Sequence, residues 1–227
     1  SAASDVYKRQ EMYLVRYADD FKIFCRNRKD AERVKIAVEK WLKERLHLET
    51  SPEKSKITNL CKHYSEFLGF KLKLEERPKQ KVIVSHMSDK AKKKVTAKLR
   101  KAIWDAQGNE DKARILNMTI RGLHNYYCVA TRVSKDFWGI YYHLLPSLKH
   151  MTRSNGKIGP PLSEFQRIKY ANYHGRRYLV GSVVIDPIYA VTFTIPYGFK
   201  QDTCNYTEEG RQLIHKRLTH LEVIFRY

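Results

Sequence analysis

A change in the apolar pattern near residues 86–88 restricts the fold more than any other feature of this chain. Before it most apolar residues fall in short β-branched and aromatic runs around a single helical stretch; from Ser88 to about 146 they recur at helical spacing. Met12-Tyr-Leu-Val-Arg-Tyr17 and Phe21-Lys-Ile-Phe-Cys25 flank Ala18-Asp19-Asp20, which predicts a hairpin. Asn27 can cap a helix reaching Leu46, with Val34, Val38, Trp41 and Leu42 along one face. Ser51-Pro52 breaks that pattern, and strands are expected over 55–60 and 64–74, with 81–84 pairing back.

Ser88 can cap a helix whose stripe is Ala91, Val95, Leu99, Ala102, Ile103 and Ala106, ended by Gly108. A second helix is expected from Asn109 to about Arg132, with Leu116, Ile120, Leu123 and Tyr127 inward. A third should start at Ser134 and stop at Pro146. Tyr127, Trp138, Tyr141 and Tyr142 are taken as core. Three amphipathic helices with short connections make a small bundle. Arg153 to Pro161 is a linker. A short helix near 162–173, two or three strands between 178 and 195 and a helix near 207–221 complete an α+β chain.

Composition then narrows the partners. The 227 residues carry 44 Lys and Arg against 24 Asp and Glu, a formal charge of +20, which points to a polyanion and first of all to nucleic acid. From Ser88 to His150 there are 13 basic residues against 5 acidic ones. Hydrophobic residues form 42% of the chain, enough for a core. Cys25, Cys61, Cys128 and Cys204 are too widely spaced for a zinc pair or a disulfide framework, so no zinc is expected and a reducing cytoplasmic setting is the default. No apolar stretch is long enough to span a membrane, and the N-terminus lacks a secretion signal. Residues 1–10 stay outside the periodic pattern and read as a non-native or disordered tail.

Asp19 and Asp20 are the most informative pair. At an effective dielectric near 20, two such charges about 4 Å apart repel by roughly 4 kcal/mol, and hard oxygen donors of this kind suit Mg²⁺. An ordinary turn uses Asp as well. The pair has company, however. Tyr17-Ala18-Asp19-Asp20 between apolar strands resembles the palm motif of reverse transcriptases. Leu48-Glu49-Thr50-Ser51-Pro52-Glu53-Lys54-Ser55-Lys56-Ile57 resembles the next palm block of group II intron reverse transcriptases, and Phe67-Leu68-Gly69-Phe70 their primer-grip hairpin. Ile120-Arg121-Gly122-Leu123-His124-Asn125-Tyr126-Tyr127 is similar to the maturase thumb motif. The four motifs come in the family's order over residues 12 to 150.

That resemblance implies a partial palm over 11–86, a helical thumb over 87–152 and a small α/β region over 153–227. It implies an RNA-directed DNA polymerase working on RNA template, intron RNA, DNA primer and deoxynucleoside triphosphates, with two Mg²⁺ ions, in a bacterial cytoplasm or an organelle. Asp19 and Asp20 would be metal ligands, Tyr17 would sit beside the primer end, and Lys54 would protonate the leaving pyrophosphate. These groups are expected to gather near Gly69, where a missing side chain lets backbone approach nucleic acid. Lys92, Lys93 and Lys98 suit phosphate tracking; Arg121, Asn125 and Tyr126 suit gripping backbone and ribose.

The stretches 187–195 and 204–215 resemble the region after the thumb in intron proteins that carry an HNH nuclease, with His215 structural. The family places fingers, nucleotide pocket and a third Asp ahead of YADD. This chain is therefore expected to resemble a C-terminal half that binds RNA alone without polymerising and, with an exposed palm edge, associates. Three other readings stay open: a non-catalytic RNA-binding maturase module, an enzyme of a retron or diversity-generating element, and a basic α+β domain without chemistry.

Overall fold

The computed structural model describes residues 12–53, 55–78, 80–194, 207–213 and 215. The chain divides into two compact units, Ser1–Ser65 and Glu66–Tyr227. In the first, β1 (Tyr13–Tyr17) and β2 (Asp20–Phe24) form an antiparallel hairpin in which Tyr17 faces Asp20, so Ala18 and Asp19 make a two-residue turn. Helix α1 (Arg28–Leu46) follows. Asn27 caps it through Oδ1, which accepts from the Asp30 amide at 2.9 Å. The expected face of α1 is only half-buried at Val34, Val38 and Leu42, and Trp41 is exposed. Residues 55–60 form no strand: Ser55 N donates to Ser51 O, and Lys62 and His63 both donate to Asn59 O, so local turns take the backbone bonds that a ladder would need.

Among the described residues none before Val84 is buried, so the core belongs to the second unit. There β3 (Ser65–Phe67), β4 (Phe70–Arg77) and β5 (Gln80–Met87) form an antiparallel sheet in that order. Helices α2 (Asp89–Asp105), α3 (Glu110–Tyr127) and α4 (Val133–Thr152) pack behind it around Leu99, Ile103, Leu116, Ile120, Phe137, Leu144 and Leu148. Ser88 caps α2 as the sequence suggests, and Asn109, expected as the first residue of α3, stands as its cap. Helix α3 stops at Tyr127, five residues early, because Thr131 and Arg132 turn back to bond Ser85 on β5. Helix α4 runs through Pro146 to Thr152. Pro146 is exposed, so water can take the Tyr142 carbonyl that its missing N–H leaves free.

A buried carboxylate fixes sheet to bundle. Asp136 Oδ2 accepts from the Met87 amide at 2.7 Å, and its Oδ1 meets Lys92 Nζ at 2.7 Å and His86 Nδ1 at 3.0 Å. Helix α5 (Glu164–Lys169), β6 (Leu179–Val180) and β7 (Val183–Val184) follow; 208–213 is helical, and most of the expected terminal helix lies outside the described residues. No helix among the described residues is long and apolar enough to cross a membrane.

Candidate active site and nucleic-acid interface

The acidic turn in the first unit is held locally. Ala18 has φ +48°, a left-handed conformation that costs a non-glycine residue about 1 kcal/mol or more, and Arg16 Nε donates to its carbonyl at 2.8 Å. Asp19 and Asp20 are both exposed, as is Tyr17 at 64%. The donors are hard carboxylate oxygens, the type that Mg²⁺ takes. Among the described residues no group of three or more His, Cys, Asp or Glu converges, and a hard cation held by these two would take further oxygen donors to complete its shell. Lys54 lies outside the described residues, and Gly69 belongs to the other unit.

In the second unit, Leu68 and Gly69 form the two-residue turn from β3 to β4 with φ +49° and +80°. A Cβ at Gly69 would stand 3.5 Å from Tyr127 Oη and 3.8 Å from Ala91 Cβ, ordinary contact distances. The backbone angle, rather than a shortage of room, is what asks for glycine here. Tyr126 Oη donates to Leu68 O at 3.0 Å, and its ring stacks on Phe70 with centroids 5.7 Å apart. Phe70 and Tyr126 thus fasten the Leu68–Gly69 turn to the end of α3, while Phe67 ends β3 on the other side of the turn.

The rest of the thumb-like motif faces a strap formed by residues 182–194, which follows α3 from end to end in the same direction. Glu110 accepts from Ser182 N and Oγ at 2.7 and 2.9 Å, and Asn117 exchanges bonds with Val184 O and Asp186 N. Arg121 Nε meets Asp186 Oδ2 at 2.6 Å, His124 Nε2 meets Ile188 O at 2.7 Å, and Thr194 N donates to Cys128 O. Gln166 Nε2 donates to Asp186 Oδ1 at 2.6 Å and to Val184 O, tying in α5. A Cβ at Gly181 would collide with the Glu110 carboxylate, and φ there is +58°.

Four of the expected contact residues, Arg121, Asn125, Tyr126 and Lys92, therefore have protein partners. Arg121 is paired with buried Asp186 and lies 4.0 Å over the Phe165 ring; Asn125 Oδ1 accepts from Lys169 Nζ at 3.2 Å; Lys92 holds Asp136. Lys93 and Lys98 are exposed on α2. The network residues Asn117, Asp136, Gln166 and Asp186 carried no periodic or motif signal, because their role depends on partners 18 to 69 positions away.

His124 is buried with its N–H on Nε2, since a carbonyl can only accept; its Nδ1 finds no partner among the described residues. Burial pushes its pKa down to about 4. The same loss of solvation raises the Tyr127 hydroxyl and lowers the Lys169 ammonium. Two core assignments fail. Trp138 is 55% exposed and Tyr142 62% exposed, because they fall on the side of α4 opposite Phe137, Ile140 and Leu144; Tyr127 is buried and Tyr141 half-buried.

No curated protein matches the chain. The family model described as reverse transcriptase (RNA-dependent DNA polymerase) matches residues 1–72, a span that takes in the acidic turn and ends just past the Leu68–Gly69 turn. About a third of the chain, the part that carries Asp19 and Asp20, is thus similar to the reverse transcriptases.

Proposed function

We propose that this chain supplies the YADD turn, primer grip and thumb of an RNA-directed DNA polymerase of the group II intron type. The observation that carries the reading is the acidic turn itself, a strained two-residue connection between paired strands inside the matched span. The order of the other three motifs supports the intron type. Asp19 and Asp20 would hold two Mg²⁺ ions, which when bound would stabilise charge on the oxygens of an in-line phosphoryl transfer. Tyr17 would pack beside the primer terminus. Lys54 would give its proton to the departing pyrophosphate. Phe67 to Phe70 would support the primer strand, and Lys93 and Lys98 would follow its phosphates.

The test is RNA-templated extension of a DNA primer by a polypeptide that joins these residues to the third palm carboxylate that the resemblance implies. Asp19→Asn should abolish extension while hybrid affinity stays within about threefold; extension at the unmodified rate would defeat the reading. Splicing assistance by RNA binding alone is a second reading. It is favoured by a helical bundle with its own core in the second unit, and it is expected to survive Asp19→Asn.

A further inference from the structure

Helix α4 has two unlike faces. Phe137, Ile140, Leu144 and Leu148 fill the core, whereas Lys135, Trp138, Tyr142, Pro146 and Lys149 lie on the opposite side at i, i+3, i+7, i+11 and i+14. Trp138 and Tyr142 stack on one another in solvent, with ring centroids 5.6 Å apart and planes inclined by 21°. Both residues keep more than half of their surface open to water, so folding of this chain gains little from placing them there. The one acidic residue of α4, Asp136, is buried and paired with Lys92 and His86. The exposed face therefore presents two ordered aromatic rings between lysines and no negative charge.

That combination selects one partner chemistry. Flat π-faces accept nucleobases of any sequence, and flanking ammonium groups meet the phosphates; a protein surface complementary to this face would need acidic and apolar groups together, while an unpaired nucleic-acid strand offers both along its length. A duplex hides its base faces and gains only the lysines. Resting on the nucleic-acid function proposed above, we propose that Trp138 and Tyr142 form a stacking platform for unpaired nucleotides, separate from the lysines of α2.

The test uses the whole chain with Trp41→Phe and Trp104→Phe, so that emission reports Trp138 alone. The probes are non-self-complementary 12-nucleotide RNA and DNA single strands and an RNA–DNA hybrid, at one salt concentration. The single strands should quench Trp138. Trp138→Ala with Tyr142→Ala should weaken single-strand binding by about 5- to 100-fold, while Trp138→Phe with Tyr142→Phe stays within about threefold and hybrid affinity hardly moves. A preference for the RNA or the DNA strand would identify which source the platform serves. Unchanged single-strand affinity in the alanine variant, no quenching, or quenching by protein concentration alone would overturn the platform. Loss of the platform with intact hybrid binding leaves the polymerase reading standing; extension by Asp19→Asn defeats that reading without touching the platform.

Discussion

Arg121 distinguishes two roles for the thumb-like motif, and the ion pair with Asp186 sets the size of the effect. The Asp186 side chain is wholly buried and that of Arg121 about a quarter exposed. Removing one partner of a buried pair costs about 3 to 5 kcal/mol; solvent at the guanidinium reduces this to roughly 2 to 4 kcal/mol for Asp186→Asn. For a unit of this size, each kcal/mol lowers Tm by about 2 to 4 °C, so a fall of roughly 5 to 15 °C is expected. Arg121→Met should be at least as damaging, because it leaves the carboxylate buried alone. The double variant should be milder than the sum, with a coupling of about 1 kcal/mol or more. Near-UV circular dichroism on heating reads stability, and RNA binding against salt reads phosphate contacts. The ion-pair role is refuted if Arg121→Met leaves Tm within about 2 °C and lowers the salt slope by about one, since that pattern belongs to a phosphate ligand.

Other consequences are as specific. His124 is held near a pKa of 4 in the fold against about 6.5 unfolded. The unfolded chain thus binds more protons between those values, and the stabilisation, complete above about pH 6.5, is lost as pH falls toward 4, by up to about 3 kcal/mol. Urea midpoints between pH 7.5 and 4.5 should fall more steeply for the natural chain than for His124→Gln; parallel curves would contradict this. Gly69→Ala should destabilise by about 1 to 2 kcal/mol from its positive φ alone, measured by urea unfolding, with the far-UV circular dichroism of the folded chain unchanged. Lys93→Ala with Lys98→Ala should weaken RNA binding at 50 mM salt several-fold and reduce the salt slope by about two, without altering Tm; an unchanged slope would remove these lysines from the interface.

Local signals were legible in the sequence and long-range ones were not. The YADD hairpin, the capped start of α1 and the starts of α2 and α3 each depend on a few neighbouring residues, and each stands where turn, cap and periodicity place it. The stripe of α2 is buried as expected at Ala91, Val95, Leu99 and Ile103. Pro146 misled because a proline on a solvent face can be tolerated inside a helix. Trp138 and Tyr142 misled because aromatic residues suggest burial, whereas their angular position on α4 turns them outward. The strand expected over 55–60 failed because local turns onto Ser51 O and Asn59 O take up the backbone bonds there. The strap along α3 was hidden because its bonds run from side chains of one segment to backbone of another far along the chain. The same concealment covers Arg121, whose partner Asp186 sits 65 positions away.

The most direct measurement on the central claim replaces the carboxylate at position 19 by a thiolate, in the polypeptide used for the extension test proposed above. If Asp19 ligates the metal, Asp19→Cys should fail to extend a primer in Mg²⁺, which a soft thiolate holds poorly, and should recover part of its rate when Mn²⁺ or Cd²⁺ is added. Undiminished extension by Asp19→Cys in Mg²⁺ alone would contradict the account.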